Sequence, residues 1–177
     1  MRRKNIKKVI KEYFFVNPTS KLRVRQIEKS LKLPLPSVIR YCNELEKERL
    51  LAKIRTGNIV FYTANKGDEK FTLEKKFFNL KSLYDSGLVN FLRTELSNPV
   101  IVVFGSYAKG EDIENSDIDL YVETPSKKKI DLKKYEKKLN RKIQLMVHKN
   151  LREVGNNHLI NNIINGFVLN GFLEALK

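Results

Sequence analysis

The chain has 177 residues, room for one large domain or two small ones, and 41% of them are hydrophobic, enough for a packed core. Its lone cysteine, Cys42, excludes an internal disulfide and cysteine-paired zinc sites. The longest apolar run, Val100 to Phe104, is far short of the roughly 20 residues a membrane helix needs, and the basic N-terminus lacks a signal-peptide core, so a cytoplasmic protein with no membrane partner is expected. The net charge of +15 is uneven: residues 1–66 hold 17 basic and 5 acidic side chains. A concentrated positive field attracts polyanions, which makes nucleic acid the leading partner class.

In chain order, Ile6, Val9, Ile10, Tyr13 and Phe14 recur at helical spacing until Asn17-Pro18 stops them. Val24, Ile27 and Leu31 mark a second, short helix. The Leu33-Pro34-Leu35-Pro36 stretch is unsuited to a helix interior, so a third helix is predicted from Pro36 or Ser37, with Val38, Tyr41/Cys42 and Leu45 inward. Two β-prone runs follow, Leu51–Ile54 and Ile59–Thr63, joined through Thr56-Gly57-Asn58, residues suited to a hairpin turn. Three helices and a hairpin resemble the winged helix-turn-helix domain, assigned here to residues 1–66. That resemblance implies DNA binding, with the third helix in the major groove and the hairpin along the backbone. The outward candidates are Ser37, Arg40, Asn43 and Glu44 on the helix, and Lys53, Arg55 and Asn58 on the hairpin. Arg40 and Asn43 are side-chain types that read base edges, whereas lysines bind phosphate without sequence preference. Winged helices also dock proteins, so that use stays open.

Residues 67–98 read as a helical linker. Leu73, Phe77, Leu80 and Tyr84 form one stripe, and Leu88, Phe91, Leu92 and Leu96 resume the period after Ser86-Gly87. Core packing is the expected use of these residues; a homodimer seam is the alternative.

Val100–Phe104 is a β-branched run suited to a strand buried on both faces. It breaks into Gly105-Ser106, where a glycine lets a phosphate approach the backbone and the serine offers its hydroxyl and amide. A second strand then carries Asp117 and Asp119, two residues apart and so on one face, about 7 Å from each other. Two such carboxylates repel unless a cation lies between them, and a hard divalent ion that keeps positions open for phosphate and water suits them.

The segment GSYAKGEDIENSDIDLYV resembles the nucleotidyltransferase superfamily of the DNA polymerase beta fold, and within it the minimal nucleotidyltransferases of prokaryotes. The likeness covers about Pro99 to Val147, within a domain assigned to residues 99–177, and such domains also occur fused behind a winged helix. The resemblance implies an α+β protein with a C-terminal mixed sheet. It gives Gly105 and Ser106 the phosphates of a nucleoside triphosphate, ATP being the expected one. Asp117 and Asp119 become catalytic residues that hold Mg²⁺ or Mn²⁺. It also raises a partner class, a small helical protein of the toxin–antitoxin type. One position departs from the family, which places a third carboxylate on the following strand. Here that strand reads Lys142 to Val147, and its inward polar residue is Gln144, an uncharged amide that cannot act as a base. Glu123 shares the face of Asp119 but lies about 13 Å along the strand.

Lys127–Lys129 and a helix over Asp131–Leu139 form a lysine-rich crossover, read as a solvated covering helix with phosphate contact as the lesser alternative. Leu159, Ile160, Ile163 and Ile164 predict a last helix, followed by a packing tail at Phe167–Leu169; His148 and His158 read as surface or loop residues. Two functions follow. One is a Mg²⁺-dependent nucleotidyltransferase coupled to DNA binding. The other is a DNA-binding regulator whose nucleotidyltransferase fold is a catalytically silent sensor or docking unit.

Overall fold

The computed structural model describes residues 5–174. The chain divides into two compact units, Met1–Phe78 and Asn79–Lys177. No helix among the described residues is long and apolar enough to cross a membrane.

The first unit begins with α1, Ile6–Val16, whose first turn is capped by the Asn5 side chain accepting the Lys8 amide at 3.1 Å. Its apolar stripe buries Ile10 and Phe14, with Phe15 beside them. Helix α2, Val24–Leu31, ends at Lys32 in the left-handed region, and α3 spans Leu35–Lys47. That helix starts slightly earlier than its prolines suggest: Pro34 is the cap and Pro36 sits in the first turn, where a missing amide costs nothing. Val38, Cys42 and Leu45 face inward to meet Ile10, Phe14 and Ile27. Strands β1, Leu51–Thr56, and β2, Ile59–Ala64, pair antiparallel from Leu51↔Ala64 to Thr56↔Ile59. Gly57 and Asn58 form the turn, and Gly57 takes the positive φ, +58°. Leu22 adds a short third rung by exchanging both backbone hydrogen bonds with Tyr62.

Helix α4, Glu69–Asp85, starts in the first unit and ends in the second. The residues expected at 67–98 as a linker are thus divided. Phe71 and Phe78 close on Phe15 with ring centroids 5.3 and 5.4 Å away, while Leu80, Leu83, Leu88 and Leu92 belong to the second unit's core. The stripe on α4 differs from the sequence reading. Leu73, Phe77 and Tyr84 are 52%, 59% and 48% exposed, so they are not core. The buried row is Phe71, Lys75, Asn79 and Leu83, spaced every fourth residue; two polar members hide it from a count of apolar positions.

In the second unit, α5, Leu88–Glu95, leads to β3, Val100–Phe104, then α6, Gly105–Lys109, and β4, Ile118–Glu123. Helix α7, Lys133–Leu139, crosses over to β5, Ile143–His148. A short 3₁₀ turn at Leu151–Val154 precedes α8, Asn157–Ile164. The tail expected at Phe167–Leu169 is a strand, β6, Phe167–Asn170, too short for its alternation to register in the sequence. The sheet order is β5-β4-β3-β6, with β4 and β5 parallel and the other pairs antiparallel, a mixed α+β arrangement. One face packs Ile101, Val103, Ile118 and Leu120 against Leu88, Leu92 and Tyr135. The other packs Val102, Phe104 and Tyr121 against Ile163. Burial on both faces explains the unbroken apolar run of β3. His148 is not in a loop: it lies on β5, half-buried, stacked on Tyr121 with centroids 5.9 Å apart.

Candidate active site

β3 ends at Phe104, and the chain turns at once through Gly105, φ +71°, into α6. The antiparallel register sets Asp119 opposite Phe104. A Cβ on Gly105 would lie 2.3 Å from Asp119 Oδ2, so the carboxylate occupies the space a side chain would need. Only glycine satisfies both that contact and the left-handed φ. Asp117 stands exposed just before β4, and Asp119 is half-buried. Burial first, and the Asp117 charge second, push the Asp119 carboxyl above its usual range.

The parallel pairing of β4 and β5 puts Gln144 directly beside Asp119. Gly105, Asp119 and Gln144 therefore sit on neighbouring strands at one end of the sheet, with Asp117 at its edge. Ser106 follows Gly105 and is half-buried. Because α6 is only five residues long, its attraction for an anion rests on local amides and the Ser106 hydroxyl, with little macrodipole behind them. The candidate donors are all oxygen: two carboxylates and an amide carbonyl. Among the described residues no three His, Cys, Asp or Glu side chains group as a metal site. This set fits a hard divalent ion that takes one or two protein carboxylates and completes its shell with phosphate and water.

Residues 86–170 match the family model described as nucleotidyltransferase domain. The second unit carries a nucleotidyltransferase domain. The match runs from the residues just before α5 to the end of β6. No curated protein and no solved structure gives a match.

The nucleotidyltransferase domain holds its site with a buried polar cluster that the sequence reading missed. The Asn79 amide donates to the Tyr107 carbonyl at 2.9 Å and to Asp112 Oδ1 at 2.7 Å. Asp112 Oδ2 lies 3.7 Å from the Arg141 guanidinium, and both residues are buried. These contacts tie α4, α6, the loop before β4 and the start of β5 together. Nothing in the local sequence pairs Asp112 with Arg141, and Asp112 is one of four acidic residues between Glu111 and Asp117. Arg141 also lines a cavity of about 590 Å³ with Asn115, Ser116, Asp117, Glu136 and Lys142.

In the first unit, Arg40 and Arg55 are exposed, as expected of outward residues; Arg40 lies 3.6 Å from Glu44 and its guanidinium also donates to the Tyr41 hydroxyl. Ser37 is half-buried. Asn43 is held inside the unit: its Oδ1 accepts the Tyr62 hydroxyl at 2.8 Å. Lys53 reaches back to Glu46 at 3.2 Å. Asn58 is exposed at the hairpin tip, while Glu44 is half-buried and also faces Lys7 at 3.4 Å.

Proposed function

We propose that the protein transfers a nucleotidyl group from a nucleoside triphosphate, with ATP the first candidate, to an acceptor hydroxyl. The observation that carries this reading is the Asp119 carboxylate packed on the Gly105 backbone, with Asp117 beside it, inside the span that matches the nucleotidyltransferase family. Gly105 and Ser106 bind the triphosphate, and Asp117 and Asp119 hold Mg²⁺ or Mn²⁺. When bound, the ion supplies positive charge to the phosphoryl oxygens. Positive charge there would favour the ionised form of Asp119, against the burial and the Asp117 charge that raise its carboxyl. The acceptor oxygen bonds to the α-phosphorus, the bond to the bridging oxygen of pyrophosphate breaks, and pyrophosphate leaves. The acceptor proton passes to water, since Gln144 cannot take it.

We also read the first unit as a winged helix-turn-helix that binds DNA. Its support is the order helix, helix, helix, hairpin, together with the excess of basic side chains over residues 1–66. With Asn43 held by the Tyr62 hydroxyl, the exposed Arg40 and Arg55 are the leading contacts. Changing both to Ala should weaken duplex binding and lower the slope of log K against log salt by roughly 1 for each phosphate no longer neutralised. An unchanged salt slope would remove them from the interface.

The deciding experiment is calorimetric titration of Mg·ATP, then the other triphosphates, into the protein and its Asp117→Asn/Asp119→Asn variant. Binding that requires Mg²⁺ and vanishes in the variant is expected; silence with every triphosphate would sink the reading. A second reading, a silent sensor domain, is favoured by Gln144 standing in register with Asp119. It predicts the same binding with no release of pyrophosphate for any acceptor.

A further inference from the structure

The sheet of the second unit has two edges, and they are defended differently. At one edge, β5 is flanked by the exposed Lys142 and Lys149. Charged side chains of that kind keep an edge strand from pairing with another chain. β6 lies at the opposite edge and contributes no residue to the candidate active site. Around it the charges vanish. Residues 154–173 contain no Asp, Glu, Lys or Arg, where the chain's average of 31% would place about six.

Burial does not explain that stretch, because of its residues only Ile163 and Leu169 are buried. Ile164, Phe167 and Val168 are 42%, 42% and 41% exposed, and Phe172 is 79% exposed. On α8, Asn161 and Asn162 add exposed amides without charge. Apolar and aromatic side chains at the centre, uncharged polar groups beside them and no charge among them are the composition of a surface that meets protein.

We propose that the β6 edge is the contact between two copies of this chain. The two β6 strands run antiparallel about a two-fold axis, with Phe167, Val168 and Phe172 of one copy against those of the other. This goes beyond the nucleotidyl-transfer reading and does not depend on it. Net charge selects the occupant. Each copy carries +15, so two copies repel wherever their basic faces would meet. Across residues 154–173 they approach with no like charges opposed. A polyanion or an acidic protein gains nothing from an uncharged surface and is drawn to the basic ones. A two-fold contact also needs no second surface, since the same strand serves on both sides. The Tyr84 hydroxyl already donates to the Leu169 carbonyl at 2.9 Å, so the contact rests on side chains more than on a full backbone ladder.

The test is sedimentation equilibrium of the full, nuclease-treated chain from about 1 to about 100 µM. The expected result is a monomer–dimer equilibrium that tightens roughly threefold or more between about 0.1 and about 0.5 M salt, because salt screens the like charge of the two copies. Association bridged by nucleic acid would weaken over the same range. Two variants, Val168→Lys/Phe172→Lys and Val168→Glu/Phe172→Glu, change exposed positions, and circular dichroism checks their fold. Each alone should weaken association roughly tenfold or more, because it sets like charges against each other across the axis. An equimolar mixture of the two should recover a mixed dimer, which local misfolding would not produce. A chain monomeric at every concentration, a dimer indifferent to both variants, association abolished by salt, or no recovery on mixing would each overturn the proposal. None of these readouts involves a triphosphate, so their failure is separate from failure of the Mg·ATP titration.

Discussion

The two units handle charge differently. In the first, the core of Ile10, Phe14, Ile27, Val38 and Leu45 is apolar, Lys75 on α4 is the buried charged residue, and ion pairs such as Arg40 with Glu44 and Lys53 with Glu46 lie at the surface. In the second, polar groups are taken inside: Asn79, Asp112 and Arg141 are buried, and Asp119 is held where its charge is penalised. Surface pairs of the first kind contribute roughly 0–1 kcal/mol and leave the side chains free to meet a partner. Buried ones do not raise stability over an apolar filling, but they fix geometry, and breaking one is costly. The unit that reads as a docking surface keeps its charges outside apart from Lys75; the unit that reads as a chemical site uses buried ones to hold a loop in place.

The largest expected effect follows from that contrast. Asp112→Ala leaves Arg141 buried beside an empty position and should cost about 3–5 kcal/mol in urea unfolding. Glu46→Ala, which frees Lys53 at the surface, should cost less than about 1 kcal/mol. Similar losses for the two would erase the distinction.

Glycine gives the next comparison. Gly57 and Gly105 both have positive φ, yet a Cβ on Gly57 meets nothing within 4 Å, whereas one on Gly105 meets Asp119 at 2.3 Å. Gly57→Ala should cost about 1–2 kcal/mol and leave nucleotide binding intact. Gly105→Ala should abolish Mg·ATP binding as well, because Asp119 must move. Retained affinity in Gly105→Ala would remove Asp119 from the site.

Gln144→Glu tests the missing charge. A third carboxylate beside Asp119 should tighten Mn²⁺ or Mg²⁺ binding roughly tenfold, since affinity for hard cations follows ligand charge. If pyrophosphate release also rises, the silent-sensor reading loses its support.

Smaller still is the effect of Asp119→Asn on the metal-free protein. Folding raises the Asp119 pKa, so the folded chain holds that proton more tightly than the unfolded one. The penalty is absent below the ordinary carboxylate value and complete once pH exceeds the folded value; stability falls as pH rises through that window. At neutral pH the variant should therefore melt higher, by on the order of 2 °C because Asp119 is only partly desolvated, and lose any gain from Mg²⁺. In the first unit the buried Cys42 thiol, pushed up to about 12 by burial, should resist alkylation until the unit unfolds.

What was legible in the sequence was contiguous. The strand, Gly105-Ser106 and Asp117/Asp119 lie within a few turns of chain, and the hairpin declares itself through Gly57. The position of Gln144 could be read because it is the one polar residue within the apolar run Ile143 to Val147. What stayed hidden depended on distant partners or on residues of the wrong polarity. Lys75 and Asn79 occupy buried positions on α4, so the apolar stripe Leu73, Phe77 and Tyr84 drew attention to the exposed face. Asp112 finds Arg141 only after β4 and β5 align. The strand β6 has four residues, below the length at which alternation carries information.

The register of β4 has a further consequence. Asp119 faces Gly105 because it pairs with Phe104, and its neighbours Ile118 and Leu120 point to the opposite, fully buried face. A slip by one residue would deliver a leucine or isoleucine to the glycine and send the carboxylate into the hydrocarbon layer. No partly assembled sheet can offer a weakened version of the site. Under the proposed function, triphosphate binding would therefore be an all-or-none report on strand alignment, and it should return during refolding only when β3 and β4 have paired in this register.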